Sequence, residues 1–264
     1  MSATIFTYVF MGLFAGYFSG RMYKTIKGNR WKSTAALVGV FYPALMLGIT
    51  FFLNLFLWGI GSSAGPPFGT FMALLSLWTL VSLPLVIFGF FFGFRKRPYE
   101  QPVRTNQIPR AVPVQPFKQN ILVTSLLAGA MPFGAMSIEL FFIMSAIWNR
   151  QIYYLFGFLF IVFLIYAISC AEIAVVLTYF QLCNENYHWW WRALISSGGA
   201  ALYVFGYTIY YFVTQLNISG AIPVVIYLGH SLIMSVTIWL LSATIGFYGV
   251  FFFLRKIYAV IKID

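Results

Sequence analysis

Charge is scarce in this chain: 8% of its 264 residues are Asp, Glu, Lys or Arg, and five of those are acidic. With 61% apolar residues and a mean hydropathy of +0.88, too few polar groups remain to coat a water-facing surface. That excludes an ordinary soluble domain and makes the bilayer the solvent. Two cysteines exclude a disulfide framework. Cys170 lies deep in an apolar run and reads as inert core. Cys183 sits at a helix end beside charged residues, where reversible palmitoylation can occur, the unmodified thiol being the simpler expectation. Two histidines at different depths, without a neighbouring cysteine or carboxylate cluster, do not form a metal site. No HExxH, GxSxG, Walker loop or paired-aspartate pattern is present. Neither an enzyme nor a cofactor-binding protein is expected.

What the chain does hold is a series of apolar runs. Seven reach the ~20 residues needed to cross a bilayer: Ala3–Ser19, Ser33–Ile60, Phe68–Phe94, Ile121–Trp148, Ile152–Leu182, Ala193–Val213 and Ile222–Leu254. The expectation is an all-α polytopic membrane protein, with residues 1–264 forming a single seven-helix transmembrane domain. Pro43, Pro84, Pro132 and Pro223 fall within these runs and mark expected kinks, since each removes a backbone hydrogen bond.

The basic residues are distributed unevenly over the loops. Arg21, Lys24, Lys27, Arg30 and Lys32 follow the first run. Arg95, Lys96, Arg97, Arg104, Arg110 and Lys118 follow the third, Arg192 the fifth, and Arg255, Lys256 and Lys262 the seventh. Only Arg150 falls in the alternate set. By the positive-inside rule the N-terminus faces the lumen or exterior and the C-terminus the cytosol. This placement in short loops also explains the net charge of +11 better than a nucleic-acid partner would, because a basic binding face needs a soluble domain to carry it. The first run lacks a basic n-region and a cleavage site. It reads as a reverse signal-anchor, or the chain as the tail of something longer.

Between the third and fourth runs lies Phe94–Lys118, with five of the eleven prolines. Pro98, Pro102, Pro109, Pro113 and Pro116 favour an extended, semi-rigid strap, packed against helix ends or presented to a partner. Gly12, Gly16 and Gly20 form GxxxGxxxG in the first run, and Gly89 and Gly93 repeat the spacing in the third. Small residues four apart open a groove for a neighbouring backbone, here a seam within the chain or a surface for a client helix.

Ionisable groups within membrane spans suggest function. Glu139 falls roughly 7 Å to the lumenal side of its span's midpoint, and Glu172 roughly 7 Å to the cytosolic side, at 1.5 Å of rise per residue. They are no dyad. Asn54, Glu139 and His230 share the lumenal half and can form a polar layer, either as hydrogen-bonded glue or as a transport or client-recognition site. Asn217-Ile-Ser219 satisfies the glycosylation rule but lies close to the membrane. The run Tyr187–Arg192 places three tryptophans at headgroup depth, where an amphipathic ring is at home.

Several stretches resemble one family. FGFRKRPYEQPVRTNQIPR (Phe92–Arg110), YLFGFLF (Tyr154–Phe160) and QLCNENYHWWWR (Gln181–Arg192) are similar to the transmembrane 9 superfamily, the nonaspanins. GRMYKTIKGNRW (Gly20–Trp31) and RKIYAVIKID (Arg255–Asp264) agree. The resemblance implies that this chain corresponds to the last seven of nine spans, without the lumenal N-terminal domain. It implies residence in Golgi and endosomal membranes and a part in sorting other membrane proteins, including clients with glycine-rich transmembrane helices, to the cell surface. It also implies that Lys262 and Asp264 form a tail signal read by the COPI coat. The alternative expectation is a channel or transporter using Glu139, Glu172 and His230.

Overall fold

The computed structural model describes residues 2–62, 65–103, 108–116, 120–148, 156–216 and 220–260, and all regular structure among them is helical. The elements are α1 (Ser2–Thr25), α2 (Trp31–Gly59), α3 (Phe68–Leu77), a π-helical turn (Trp78–Ser82), α4 (Leu83–Arg95), α5 (Ile121–Trp148), α6 (Phe156–Cys183), α7 (Trp189–Ser197), α8 (Ala200–Gln215) and α9 (Ala221–Val260). Among the described residues six stretches are long and apolar enough to cross a membrane. They are Trp31–Gly59, Phe68–Arg95, Ile121–Ser145, Phe160–Cys183, Trp189–Gln215 and Ala221–Val260. α1, the expected first span, is not among them. Of that expected span, Ala3–Ser19, side chains are described only from Ile5 onward.

Helix ends follow from local chemistry. α1, α2 and α6 each stop in a Schellman motif, which satisfies two orphan carbonyls with the two residues beyond the turn. After α1, Lys27 N–H donates to Lys24 O and Gly28 N–H to Tyr23 O. After α6, Glu185 N–H donates to Leu182 O and Asn186 N–H to Gln181 O. Glycine at φ 64° serves α2, but Lys27 (φ 61°) and Glu185 (φ 59°) fill the same left-handed position in the other two. Their charge suits a helix end at the membrane surface, and the strain this imposes is modest.

Proline acts differently at each site. Inside α2, Pro43 cannot donate to the carbonyl of Gly39 four residues earlier. The indole Nε1 of Trp78 supplies that bond instead, at 3.1 Å. Pro84 stands at the start of α4, directly after the π-helical turn. The extra residue in such a turn relieves the clash that proline makes with the preceding carbonyl. Pro132 lies within α5 as expected. Pro223 sits in the first turn of α9, where the missing N–H costs nothing, so no kink follows from it.

The helices gather into two compact units, Met1–Gln101 and Pro102–Asp264. In the first, α1 lies along α4 and α2 packs on α4. In the second, α9 packs on α6, α7 and α8, while α5 packs on α6, α7 and α8. The core of this unit is built on Leu140, Met144, Val204, Tyr211 and Tyr227. Tyr227 Oη donates to Thr208 O at 2.7 Å inside that core, so its hydroxyl is buried with a partner. The outward faces carry Met131, Val213 and Leu80, each more than 70% exposed, the surface expected of helices solvated by lipid.

The stretch expected as one span, Ala193–Val213, is two helices. Gly198 and Gly199 separate α7 from α8. A Cβ at Gly199 would collide with the backbone of Ser125, and one at Gly198 with the ring of Trp239. The break lets α5 and α9 approach the chain from both sides.

Candidate functional site

The two glycine rows marked by their four-residue spacing lie on facing helices, α1 and α4. A Cβ at Gly16 would strike the backbone of Val86 and Phe90, and one at Gly20 would strike Phe90 O. From the opposite side, a Cβ at Gly89 would strike Leu13 O, and one at Gly93 would strike Tyr17 O. Gly12 faces Val86 Cγ2. The two glycine rows therefore interlock α1 with α4 at backbone contact. The seam is filled by the chain itself and is no open groove for a client.

An open groove exists elsewhere. On the outer surface of α8 and α5, Phe133, Tyr203, Gly206, Tyr207 and Tyr210 line a shallow depression of about 420 Å³. No atom lies within 4 Å of where a Cβ on Gly206 would be. Phe133 stacks on Tyr203 with ring centroids 5.6 Å apart, and Tyr203 Oη donates to Leu126 O at 3.0 Å. Those contacts fix one wall. Sequence reasoning passed over this site because Gly206 has no glycine partner at four-residue spacing.

A second cavity, of about 310 Å³, opens where α5, α6 and α7 meet the strap. Its polar lining includes Thr124, Thr178, Gln181, Arg192 and Ser196, and Pro116 stands at its mouth. Strap residues 108–116 are held there by helix-end contacts. Gln115 Nε2 donates to Asn184 O at 3.3 Å and to Pro113 O at 2.8 Å, and Arg110 pairs with Glu185 at 3.5 Å. The strap's other end is held by α1. Tyr99 N–H donates to Thr25 Oγ1 at 3.2 Å, Lys24 Nζ donates to Lys96 O at 3.0 Å, and the Arg21 guanidinium lies 4.0 Å over the Tyr99 ring. Both described ends of the strap thus pack on helix termini.

The intramembrane polar groups have different surroundings. Glu139 on α5 is buried, at 4% exposure, and so is Asn54 on α2, at 3%. Glu172 on α6 and His230 on α9 are exposed, with His230 Nδ1 2.8 Å from Ile226 O. Asn54 belongs to the first unit, Glu139 and His230 to the second. Neither cavity described above is lined by Glu139, Glu172 or His230. Of the cysteines, Cys170 is buried and Cys183 exposed. Among the described residues no three His, Cys, Asp or Glu side chains cluster in a way that could hold a metal ion. Asn217, Lys262 and Asp264 lie outside the described residues, as do Thr105, Asn106 and Gln107 of the strap.

Comparison with known proteins decides the family. The profile described as Endomembrane protein 70 matches residues 1–221. The chain belongs to that family. It is 54% identical over all 264 residues to human (Homo sapiens) transmembrane 9 superfamily member 4. It is also 49% identical to member 10 of Arabidopsis thaliana and 45% identical to member 2 of Rattus norvegicus. It spans 40–41% of the length of these relatives. No solved structure matches it. As a member of the Endomembrane protein 70 family, the chain is a multi-pass protein of the endomembrane system.

Proposed function

We propose that this chain helps to localise and sort other membrane proteins in Golgi and endosomal membranes, by recognising glycine-rich transmembrane helices on their way to the cell surface. Family membership supports the compartment, and the α8 groove supports the mode of recognition. Its floor is an open glycine, so a client helix with small residues at four-residue spacing can bring its backbone close. Tyr203, Tyr207 and Tyr210 flank that floor. All three offer ring surface, and Tyr207 and Tyr210 offer hydroxyls to a client's exposed carbonyls, contacts worth about 1 kcal/mol each in a membrane. In this reading the tail residues Lys262 and Asp264 engage the COPI coat and return the protein to the early Golgi, a receptor-read address rather than an anchor. No observation favours transport through Glu139, Glu172 and His230.

The groove separates from the seam experimentally. Gly206→Leu fills open space and leaves the fold intact, so co-purification of a single-span client with a GxxxG-containing helix should fall at least fivefold. Unchanged capture by a folded Gly206→Leu protein would reject the groove as the client site. Loss of capture on Gly16→Leu would show only that α1 and α4 no longer pack.

A further inference from the structure

The cavity between α5, α6 and α7 contains an unsatisfied donor. Gln181 is 5% exposed, and its Nε2 is buried without a hydrogen-bond partner. A buried donor left unpaired is costly, so the cavity holds an unmet hydrogen bond. Three hydroxyl side chains, Thr124, Thr178 and Ser196, line the same space, and so does the guanidinium-bearing Arg192. Thr124 Oγ1 already gives its proton to Asn120 O or Ile121 O, so toward a ligand it can only accept. The described lining holds one cation and no carboxylate.

The position of the cavity narrows the ligand. It lies beside the α6–α7 turn, and Trp190 and Trp191 in the first turn of α7 are 40% and 66% exposed, as aromatic residues at the headgroup layer are. Its remaining wall is apolar, and Phe180 there is 57% exposed to the outside of the bundle. A polar pocket with a lateral apolar wall fits an amphiphile whose head enters and whose tail stays in the bilayer.

We propose that this cavity binds the phosphodiester of a monoanionic glycerophospholipid, with Arg192 and Gln181 Nε2 as the donors to phosphate oxygen. A guanidinium has several N–H donors, and its charge-assisted bonds to phosphate are the stronger class. The absence of a carboxylate from the described lining gives choline or ethanolamine no counter-charge, so an anionic lipid is selected over a zwitterionic one. About 310 Å³ accommodates a headgroup and not a whole lipid, in keeping with acyl chains left along Leu177 and Phe180. This site is independent of the client groove on α8, so either can fail without the other.

The test uses the whole chain in nanodiscs of phosphatidylinositol and phosphatidylcholine, with retained lipid identified by native mass spectrometry after mild release. Phosphatidylinositol should be retained about tenfold over phosphatidylcholine. Arg192→Gln and Gln181→Leu should each reduce that preference at least fivefold. Gln181→Leu removes the unpaired donor and keeps side-chain bulk, so it leaves folding intact even if Arg192→Gln does not. Equal retention of the two lipids, or a preference untouched by Gln181→Leu, would overturn the proposal. Displacement by glycerophosphoinositol as effective as by the lipid itself would overturn the membrane source and assign the phosphodiester to a soluble ligand.

Discussion

At the scale of single residues, glycine carries more of this structure than any charged group does. Gly89 and Gly48 both lie in apolar helices. Their surroundings are opposite: a Cβ at Gly89 would meet Leu13 O and Tyr17 N, whereas nothing lies within 4 Å of one at Gly48. Replacement by alanine should therefore have opposite effects. Gly89→Ala forces α1 and α4 apart and should cost ~2 kcal/mol, within the range for overpacking. Gly48→Ala gains helix propensity at no steric cost and should be neutral or stabilising by up to ~1 kcal/mol. Unfolding in mixed detergent, followed by circular dichroism, distinguishes the two. Equal effects would mean that the close approach is not what holds the seam. The GxxxG spacing showed that these glycines pack, but spacing is the same for an internal seam and an external one. Only the position of α4 decides between them.

At the scale of elements, helix irregularities are repaired by neighbouring elements. Pro43 leaves the Gly39 carbonyl without its own donor, and Trp78 in the π-helical turn supplies one. Trp78→Phe keeps an aromatic ring but removes the N–H, and should destabilise by about 1–2 kcal/mol because a buried acceptor is left unpaired. The cause is checked by a double-mutant cycle. Pro43→Ala restores the α-helical donor to Gly39 O, so Trp78→Phe in that background should cost less than half as much. An equal cost in both backgrounds would assign the effect of Trp78→Phe to packing. Existence of the helices was legible from hydropathy, because apolar runs of this length have few other solutions in a bilayer. Their interruptions were not. Gly198 and Gly199 sit in a run apolar enough to read as continuous, and what breaks it is the approach of Ser125 and Trp239, far away in sequence. The cavity was hidden for the same reason. Gln181 and Arg192 were visible as part of a motif, but Thr124 and Ser196 join them only through tertiary packing.

At the scale of the whole molecule, the remaining question is which way the helices are threaded, and the chain holds its own probe for it. The basic residues concentrate in alternate loops, and the rule that follows from this puts the α6–α7 turn on the cytosolic side. That turn begins next to Cys183, which is exposed, while the only other cysteine, Cys170, is 1% exposed. Thiolate reactivity needs access, so a membrane-impermeant maleimide should label a single site. In cells whose plasma membrane alone is permeabilised, with endomembranes sealed, labelling should be close to one thiol per chain, and Cys183→Ser should abolish it. Hydroxylamine applied first cleaves any thioester, so palmitoylation at Cys183 would show as labelling that depends on that step without altering the readout of sidedness. Labelling that requires full permeabilisation would place Cys183 in the lumen and reverse the threading. It would also carry the strap, Arg192 and the phosphodiester cavity to the lumenal leaflet, where anionic lipid is scarce. The orientation of the chain and the chemistry of its polar cavity thus stand under one measurement.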